Sequence, residues 1–373
     1  MRISQVSMRE IRVPLREPFR ISSGLVAERR ILLVELTDHD GVTAWSECVA
    51  GEAPYYSAET VDTAWFAIRE WFAPRLLGRT LGDPHETAAL LGRDVRGHRM
   101  ALAALEMGVW VLRANRAGVA LARMLGGTRE RVDVGISLGI QPSPAMLVER
   151  ATLAQSEGYR RIKLKIGPGH DIAWVAAVRE GLGPDAAVMV DANNAYSLSD
   201  VDVLRKLDAF DLLMIEQPLE HEDLVSHAVL QRELRTPLCL DESITSPARA
   251  ADMIALGSGR IINIKPGRVG GFGPSLQIHA LAQEHGVPVW CGGMLESGIG
   301  RACNVALASL PGFSIAGDIS PSARYWSRDI VTPEWAMDEH GSMRVPLHRP
   351  GLGVDVDVDY VDDITVRRED LAV

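Results

Sequence analysis

The residues best suited to chemistry are carboxylates that end successive β-strand-like runs. Asp191, Glu216 and Asp241 each end a short apolar run, and each stands 25 residues after the one before. Carboxylates at the ends of three consecutive strands would converge on one point and offer only oxygen ligands. Such a ligand set selects a hard cation, Mg²⁺ or Mn²⁺, over zinc. The spacing therefore predicts a divalent-metal site built from these three residues.

Lysines flank the carboxylates. The chain has 35 Arg but only four Lys, and three of them, Lys163, Lys165 and Lys265, also end strand-like runs. An amine can act as a base if nearby positive charge lowers its pKa, whereas a guanidinium does not lose its proton. We expect the metal and a second ammonium to lower the pKa of the base from ~10.4 toward ~7–8. These parts suit abstraction of a proton next to a substrate carboxylate, with the metal stabilising the enediolate.

The elements that position these residues repeat with a period of about 25 residues. From residue 132 onward, β-branched runs alternate with helix-like segments, as parallel strands with helical crossovers require. The runs are VDVGISL, RIKLKI, AVMVD, LLMIE, PLCLD, IINIK and VPVWC, and FSIAGD from Phe313 supplies an eighth strand without a convincing helix after it. This predicts an α/β fold, a modified (β/α)7β TIM-type barrel with its active site at the carboxyl ends of the strands. An open doubly wound sheet is the alternative.

The residues before the barrel follow another pattern. Alternating runs around an Asp40-Gly41 turn predict an antiparallel meander, and helical patterns follow, one opening at Asp83. We predict an α+β capping domain over 1–130, the barrel over 131–322, and a C-terminal segment, 323–373, that returns to the capping domain. Segments near 16–29 and 50–60 are rich in turn residues and aromatics, which suits lid loops over the barrel mouth.

Composition narrows the class of protein. The formal net charge of −10 argues against nucleic acid as a partner, and 47% apolar with 24% charged residues is typical of soluble globular proteins. No apolar run reaches about 18 residues and the start of the chain does not resemble a signal peptide, so we expect no membrane association and a cytoplasmic location. The four cysteines form no C-x-x-C pair, which favours buried free thiols over disulfides or a zinc site.

The strand-end motifs KLK, VDANNAY, IEQPL, LDES and INIKPGRVGG resemble the enolase superfamily, in its muconate lactonizing subgroup. GISLGIQ, RRIKLKIGPG, CLDES and CGGMLESGIGRA are most similar to the N-succinylamino acid (N-acylamino acid) racemase and o-succinylbenzoate synthase family, and WSECVAGEAPYYSAET extends the resemblance into the first domain. The resemblance implies Mg²⁺, or Mn²⁺ or another divalent ion in its place, on Asp191, Glu216 and Asp241. It also implies Lys165 and Lys265 as an acid/base pair on opposite faces of the substrate, Lys163 as an electrostatic helper, and a homo-oligomer.

Other residues are candidates for binding a small-molecule carboxylate substrate. They are Ser137, Asn193, Arg268, Gly293, Met294, Glu296, Phe19 and Tyr55. Asn193 either binds the substrate carboxylate or a metal-bound water, or forms a plain turn. Arg268 faces the substrate, or influences Lys265, as the Arg that racemases of this family tend to carry there, or else forms an external ion pair. The glycine-rich stretch CGGMLESGIG either brings backbone close to the ligand or forms a tight turn, and the aromatics either seal the pocket or fill a core.

The function predicted first is racemisation of N-acyl, particularly N-succinyl, amino acids, with a capacity for o-succinylbenzoate synthesis. One alternative is o-succinylbenzoate synthase as the main role, a dehydration in menaquinone biosynthesis. Dipeptide epimerase and cycloisomerase relatives share the same constellation, so the residues do not separate these reactions. A catalytically silent ligand-binding barrel is a further alternative, disfavoured because three of four lysines stand at strand ends.

Overall fold

The N-terminal region forms an antiparallel sheet in the computed structural model, which describes residues 1–21 and 24–373. Its first strands are β1 (Ile3–Ile21), β2 (Gly24–Asp38) and β3 (Thr43–Cys48). As predicted, β2 and β3 are joined by a tight turn in which the Asp38 carboxylate accepts the backbone N–H groups of Asp40 and Val42. Gly41 has φ +81°, a conformation that glycine adopts without strain.

Helices cover this sheet. In chain order they are α1 (Val61–Ala67), α2 (Ala73–Leu76), α3 (Thr87–Gly92), α4 (Arg99–Ala117) and α5 (Leu121–Met124). The predicted helix start at Asp83 is a 3₁₀ turn, Pro84–Glu86, which leads into α3. The Asp83 side chain caps it by accepting the backbone N–H of His85 at 2.9 Å. The long helix α4 is buried along most of its length between the sheet and the second domain.

Seven parallel strands in consecutive order, β5 to β11, form the wall of the second domain. From residue 131 the strands are β4 (Arg131–Asp133), β5 (Gly135–Leu138), β6 (Arg161–Lys165), β7 (Val188–Asp191), β8 (Ile215–Glu216), β9 (Leu238–Leu240), β10 (Ile261–Ile264), β11 (Val289–Cys291), β12 (Val331–Thr332), β13 (Ser342–Arg344), β14 (Asp355–Val356) and β15 (Thr365–Ala372). The helices are α6 (Pro144–Ser156), α7 (Ile172–Leu182), α8 (Val201–Leu204), α9 (Leu224–Glu233), α10 (Pro247–Leu256), α11 (Pro266–Val269), α12 (Phe272–Glu284), α13 (Gly298–Ala308) and α14 (Val358–Asp363).

The barrel closes through an irregular segment, where a regular eighth strand was predicted. Within FSIAGD, Phe313 bridges to Val289 of β11, and Gly317 bridges to Val134 next to β5. The backbone therefore hydrogen-bonds to both edges of the seven-stranded sheet. A Cβ on Gly317 would lie 2.8 Å from the carbonyl oxygen of Cys291, so the close approach depends on glycine. The fold is a modified (β/α)7β barrel with an α+β capping domain.

The end of the chain lies against the first sheet. Strand β15 pairs antiparallel with β1, which places it at the edge of the sheet, on the side of β1 away from β2. The indole N–H of Trp65 donates to Glu369 at 2.9 Å, and the guanidinium of Arg367 stacks 3.9 Å from the Trp65 ring centroid. The short strand β13 instead pairs with β4 at the start of the barrel.

The two segments predicted as lid loops differ from each other. Residues 16–21 and 24–29 extend the β1–β2 hairpin, in which Phe19 pairs with Val26, so the prediction of a loop there is wrong for the described part. By residue type, Pro18, Ser22, Ser23 and Gly24 favour turns, but in the described part cross-strand pairing of the apolar and charged residues around them overrides that local preference. Residues 22–23 of the predicted loop lie outside the described residues. Residues 50–60 are irregular and are closed by a bridge between Gly51 and Thr60.

Two buried glutamates join the capping domain to barrel helices. Glu106 of α4 accepts the backbone N–H groups of Phe272 and Gly273, at 2.7 and 2.8 Å, where α12 begins. Glu47 of β3 accepts the backbone N–H and hydroxyl of Ser297 at the start of α13. Burial raises the pKa of both carboxyls to about 7, in spite of these hydrogen bonds.

The cysteines and the helices can be compared with what the composition predicts. The four cysteines are free and buried, as predicted: Cys48, Cys239, Cys291 and Cys303. Within residues 1–21 and 24–373, no helix has both the length and the apolar character needed to cross a membrane.

Candidate active site

A cavity of about 150 Å³ lies at the carboxyl ends of the barrel strands, between the barrel and the capping domain. Both domains contribute to its wall, and most of the predicted site residues are brought together there. From the barrel these are Ser137, Lys163, Lys165, Asn193, Lys265, Gly293 and Met294; from the capping domain they are Phe19 and Tyr55, and Tyr56 lines the cavity beside them. The three predicted metal ligands contact the lysines of this wall from the barrel side.

The three carboxylates lie side by side because their strands are neighbours in register. Asp191 ends β7 and is the parallel partner of Glu216, which ends β8; Asp241 follows β9 directly. All three are buried. Burial and the negative charges of Asp191 and Asp241 raise the pKa of Glu216 to about 8, in spite of Lys163. The carboxylates are therefore close enough to repel one another and need cations nearby.

Lys163 is the centre of a buried ion cluster. Its Nζ lies 2.5 Å from Asp318 Oδ2, 3.0 Å from Glu216 Oε2 and 3.3 Å from Asp191 Oδ2. Burial alone would lower the pKa of Lys163, but the three carboxylates outweigh it and raise the pKa well above its usual value. Lys163 thus compensates buried negative charge.

Lys165 and Lys265 approach the carboxylates from the two sides of the row. Lys165 Nζ donates to Asp191 Oδ2 at 2.6 Å and to Asn193 Oδ1 at 2.7 Å. Asn193 in turn donates to Glu242 Oε1 at 3.0 Å, so its side chain links Lys165 to a buried carboxyl as well as forming a turn. Since β6 carries Lys165 and Lys265 follows β10, the strands of all three candidate ligands stand between them.

Lys265 donates to Asp241 Oδ2 at 2.8 Å and to the Tyr56 hydroxyl at 3.2 Å. Burial lowers its pKa, but the charge of Asp241 outweighs burial, and the pKa is raised in this structure. Each ammonium, of Lys265 as of Lys163, is paired directly with a carboxylate, and this attraction exceeds the repulsion between the ammonium groups. The lowering of the base's pKa by a bound metal stays a prediction.

Arg268 lies on α11 and is buried, so the alternative of an external ion pair is wrong. Its guanidinium pairs with Asp241 and donates to the Tyr56 hydroxyl at 3.1 Å and to the carbonyl oxygen of Ile244 at 2.7 Å. It stands behind Asp241 and Tyr56 and does not form part of the cavity wall described above. Its positive charge opposes protonation of Lys265, which shares the same two partners.

The glycine-rich loop after β11 lines the cavity through Gly293 and Met294. Glu296 lies behind this loop, where its Oε1 accepts the backbone N–H of Met294 at 2.8 Å and the amide of Asn304 at 2.9 Å. Gly292 packs so closely that a Cβ would lie 2.3 Å from Asn263 Oδ1 and 2.6 Å from Lys265 Cε. The loop therefore both approaches the ligand space and supports Lys265.

Several residues of the site were not predicted. Asp318 ends FSIAGD and pairs with Lys163 and with Arg161, at 2.5 Å in both cases. Asn263 in IINIK donates to Glu216 Oε1 at 2.7 Å. Asp318 ends a strand-like run, as Asp191 does, so the same sequence criterion could have identified Asp318 as a site residue. Asn263 carries no comparable signal, because an amide inside an apolar run is read as a strand residue.

The donor set has the chemistry that a hard cation needs. Asp191, Glu216 and Asp241 offer buried carboxylate oxygens from adjacent strand ends, and Glu242 has a buried Oε2 to which no described residue donates. In this structure the carboxylates are turned toward lysines rather than toward one common point. As a result, across residues 1–21 and 24–373, no three His, Cys, Asp or Glu side chains form a group that could hold a metal ion. The residue types thus fit Mg²⁺ or Mn²⁺, and ammonium groups now neutralise the oxygens.

Comparison with known proteins places the chain in a family. Residues 3–126 match the mandelate racemase / muconate lactonizing enzyme N-terminal domain, and residues 146–361 match the enolase C-terminal domain-like family. An o-succinylbenzoate synthase from Geobacillus stearothermophilus is 48% identical over 97% of this chain and 96% of that protein. An N-succinylamino acid racemase from Thermus thermophilus is 46% identical over 98% of both chains.

A solved structure of the enolase superfamily has the same fold. A member of the enolase superfamily from Listeria innocua superposes with a TM-score of 0.96 at 38% identity, covering 100% of this chain and 99% of that one. Both domains are therefore matched together with their arrangement. The resemblance of the strand-end motifs is confirmed, and the chain belongs to the enolase superfamily as an enzyme of the mandelate racemase and muconate lactonizing enzyme family.

Proposed function

We propose that this enzyme racemises N-acyl amino acids, N-succinyl amino acids in particular, by metal-dependent proton transfer at the carbon next to the carboxylate. The observation that carries the proposal is the placement of Lys165 and Lys265 on the two sides of a row of strand-end carboxylates, on the wall of one cavity. A racemase needs a proton donor and acceptor on each face of the reacting carbon, and two lysines so placed provide them.

The proposed ligands of the metal are Asp191, Glu216 and Asp241. Enzymes of the enolase superfamily generally use a divalent ion, typically Mg²⁺. When bound, such an ion supplies positive charge that stabilises the oxyanion developing on the substrate carboxylate and disfavours protonation of nearby amines. Lys163 compensates the charge of the buried carboxylates. Asn193 positions Lys165 by accepting a hydrogen bond from its Nζ at Oδ1, at 2.7 Å.

Proton transfer then divides between the two lysines. The neutral amine of one lysine accepts the α-proton at its Nζ, and the ammonium of the other delivers a proton to the opposite face. Tyr56 fixes Lys265 through a 3.2 Å hydrogen bond and covers its ammonium, with the ring centroid 4.5 Å from Nζ. Phe19 and Val26 of the hairpin close the cavity on the capping side, which limits access of water to the reacting carbon.

A second candidate is o-succinylbenzoate synthesis as the main role, because relatives of that name share up to 48% of their residues with this chain. In that dehydration, Lys165 would accept the proton and return it to the departing hydroxyl, while Lys265 remains a cation. The same side chains in the same places serve both reactions, so an enzyme of this design can perform both.

The test is to assay the purified enzyme with Mg²⁺ for both reactions. Racemisation of N-succinyl-L-phenylalanine is followed by polarimetry, and formation of o-succinylbenzoate by absorbance. We expect racemisation that EDTA abolishes and Mg²⁺ restores. Dehydration without racemisation of any N-acyl amino acid would contradict the proposal and assign the second candidate. Turnover unchanged by EDTA would contradict the metal-dependent mechanism.

The cytoplasmic location and the homo-oligomer stay predictions. Sedimentation of the purified protein over a range of concentrations tests the homo-oligomer. We expect a mass of two or more times the 40.6 kDa of one chain.

A further inference from the structure

We infer that Asn263 is a positioning residue for the proposed metal site: its side-chain amide orients the carboxylate of Glu216 for binding the divalent ion. Replacing this amide should weaken binding of the ion while the protein stays folded. The inference rests on the proposed function, in which Glu216 is one of the metal ligands, and it adds a residue that contacts a ligand and not the ion itself.

Asn263 is a polar residue in an apolar strand. It lies in β10 between Ile262 and Ile264 and is fully buried, with 0% of its surface exposed. Its Nδ2 donates to Glu216 Oε1 at 2.7 Å, whereas its Oδ1 is buried and has no donor among the described residues. A buried polar atom without a partner typically costs ~1–3 kcal/mol. An apolar residue would avoid this cost, so the bond to Glu216 is what an amide adds at this position.

The carboxylate of Glu216 is held at both of its oxygens. Oε1 accepts from Asn263, and Oε2 accepts from Lys163 Nζ at 3.0 Å. A carboxylate oxygen has two lone pairs, so each of these contacts leaves one lone pair for a further partner. The two contacts therefore fix the orientation of the carboxylate without using up its capacity to bind an ion.

The contact from Asn263 differs in charge from most others in the site. The side chains that pair with the three candidate ligands are chiefly ammonium and guanidinium groups, whose charge opposes the approach of a divalent ion. The amide of Asn263 has no net charge and can keep its hydrogen bond to Glu216 when an ion binds. Partners of this kind fix metal ligands in place, and their loss typically lowers metal affinity by ~10–100-fold.

The neighbouring strand leaves room for this amide. A Cβ at Gly292, directly after β11, would lie 2.3 Å from Asn263 Oδ1 and 2.7 Å from Nδ2, so only glycine allows the amide its present place. The backbone of Asn263 is fixed as well, because its carbonyl oxygen accepts from Arg268 Nη2 at 2.5 Å. Asn263 is therefore itself held rigidly, which a residue that positions another side chain requires.

The test measures metal affinity and not turnover. Mn²⁺ is titrated into the full-length protein after removal of metal, and free Mn²⁺ is measured by electron paramagnetic resonance. The variants are Asn263→Leu, which removes the donor at similar size, and Asn263→Ser, whose side chain is one bond shorter. The matched control is Asn304→Leu: Asn304 is also a buried amide that donates to a buried glutamate, Glu296, at 2.9 Å, but Glu296 is not a proposed ligand. Thermal unfolding of each metal-free protein reports its stability separately.

We expect the Mn²⁺ dissociation constant to rise at least ~10-fold in Asn263→Leu and Asn263→Ser, while Asn304→Leu stays close to the wild type. If the leucine variant does not fold, Asn263→Ser decides the outcome. A wild-type dissociation constant in the folded Asn263 variants, or an equal loss in Asn304→Leu, would overturn the positioning role and leave the proposed function intact. Failure of the wild type to bind Mn²⁺ would overturn the metal-dependent function and this inference with it.

Discussion

At the residue scale, the site is organised by pairs of opposite charge. Lys163 is in contact with three carboxylates, Asp318, Glu216 and Asp191, and all four side chains are buried. Removing one partner of a buried ion pair leaves the others without compensation, which costs far more than the pair itself contributes. Lys163 therefore stabilises the folded protein, independently of any contribution to turnover.

Replacing Lys163 by Met should lower the free energy of unfolding by ~3–5 kcal/mol, because it leaves buried carboxylates uncompensated. Urea denaturation followed by circular dichroism measures this. Lys206→Met is the control: Lys206 is exposed, and its loss should change stability by less than ~0.5 kcal/mol. Equal stability of the two variants would show that the cluster does not depend on Lys163.

At the element scale, the end of β11 supports the lysine that follows β10. Gly292 faces Asn263 and Lys265 so closely that a methyl group must displace one of them. Overpacking of this kind forces side chains from their preferred positions and typically costs 1–3 kcal/mol.

The variant Gly292→Ala should therefore lose at least ~10-fold in kcat, because small displacements of a catalytic group are costly to the rate. Steady-state kinetics measures the loss, and Gly82→Ala is the control, since a Cβ there meets nothing within 4 Å. Unchanged kcat in Gly292→Ala would mean that the position of Lys265 is not set by this contact.

The junction of α4 with α12 adds a pH dependence to stability. Burial raises the pKa of Glu106 to about 7 from an ordinary value of 4.5, so the folded state holds this proton more tightly than the unfolded state. Stability then falls as the pH rises from about 4.5 to about 7 and levels off above that range.

Glu106→Gln removes this titration. Between pH 5 and 7 its free energy of unfolding should depend less on pH than that of the wild type, by at most ~1.4 kcal/mol per pH unit for one proton. The variant should also be less stable at pH 5, because an amide cannot accept from both Phe272 and Trp110 as the carboxyl does. Urea denaturation at several pH values measures both effects. A pH dependence identical to that of the wild type would contradict the raised pKa.

At the scale of the whole molecule, local sequence patterns predict the strands of the barrel well. They predict poorly how the barrel closes and how the two domains contact each other. The repeat of about 25 residues placed Asp191, Glu216 and Asp241 at strand ends because each strand obeys the same rule. Closure by Phe313 and Gly317 through isolated bridges depends on how two distant edges meet, which no local pattern records.

The capping domain shows the same limit. The pairing of Arg29 with Glu52 and of Glu106 with the start of α12 joins segments far apart in the chain, so neither pair has a spacing signal. A few turn-forming residues suggest a loop near 16–29, whereas strand pairing decides the conformation of residues 16–21 and 24–29. The strand-end residues of the barrel follow from repetition, but the cavity wall that the capping domain completes depends on how the two domains pack.

In the proposed mechanism, Lys165 and Lys265 act on opposite faces of one substrate. Proton NMR in D₂O with Mg²⁺, using L and D enantiomers of N-succinyl-phenylalanine separately, tests it most directly. The wild type should exchange the α-proton of both enantiomers and racemise both. Lys165→Ala and Lys265→Ala should each fail to racemise, while each retains slow exchange of one enantiomer, a different one for each variant, because the remaining lysine still serves its own face. Racemisation retained in either variant, or exchange of the same enantiomer in both, would contradict the two-base account.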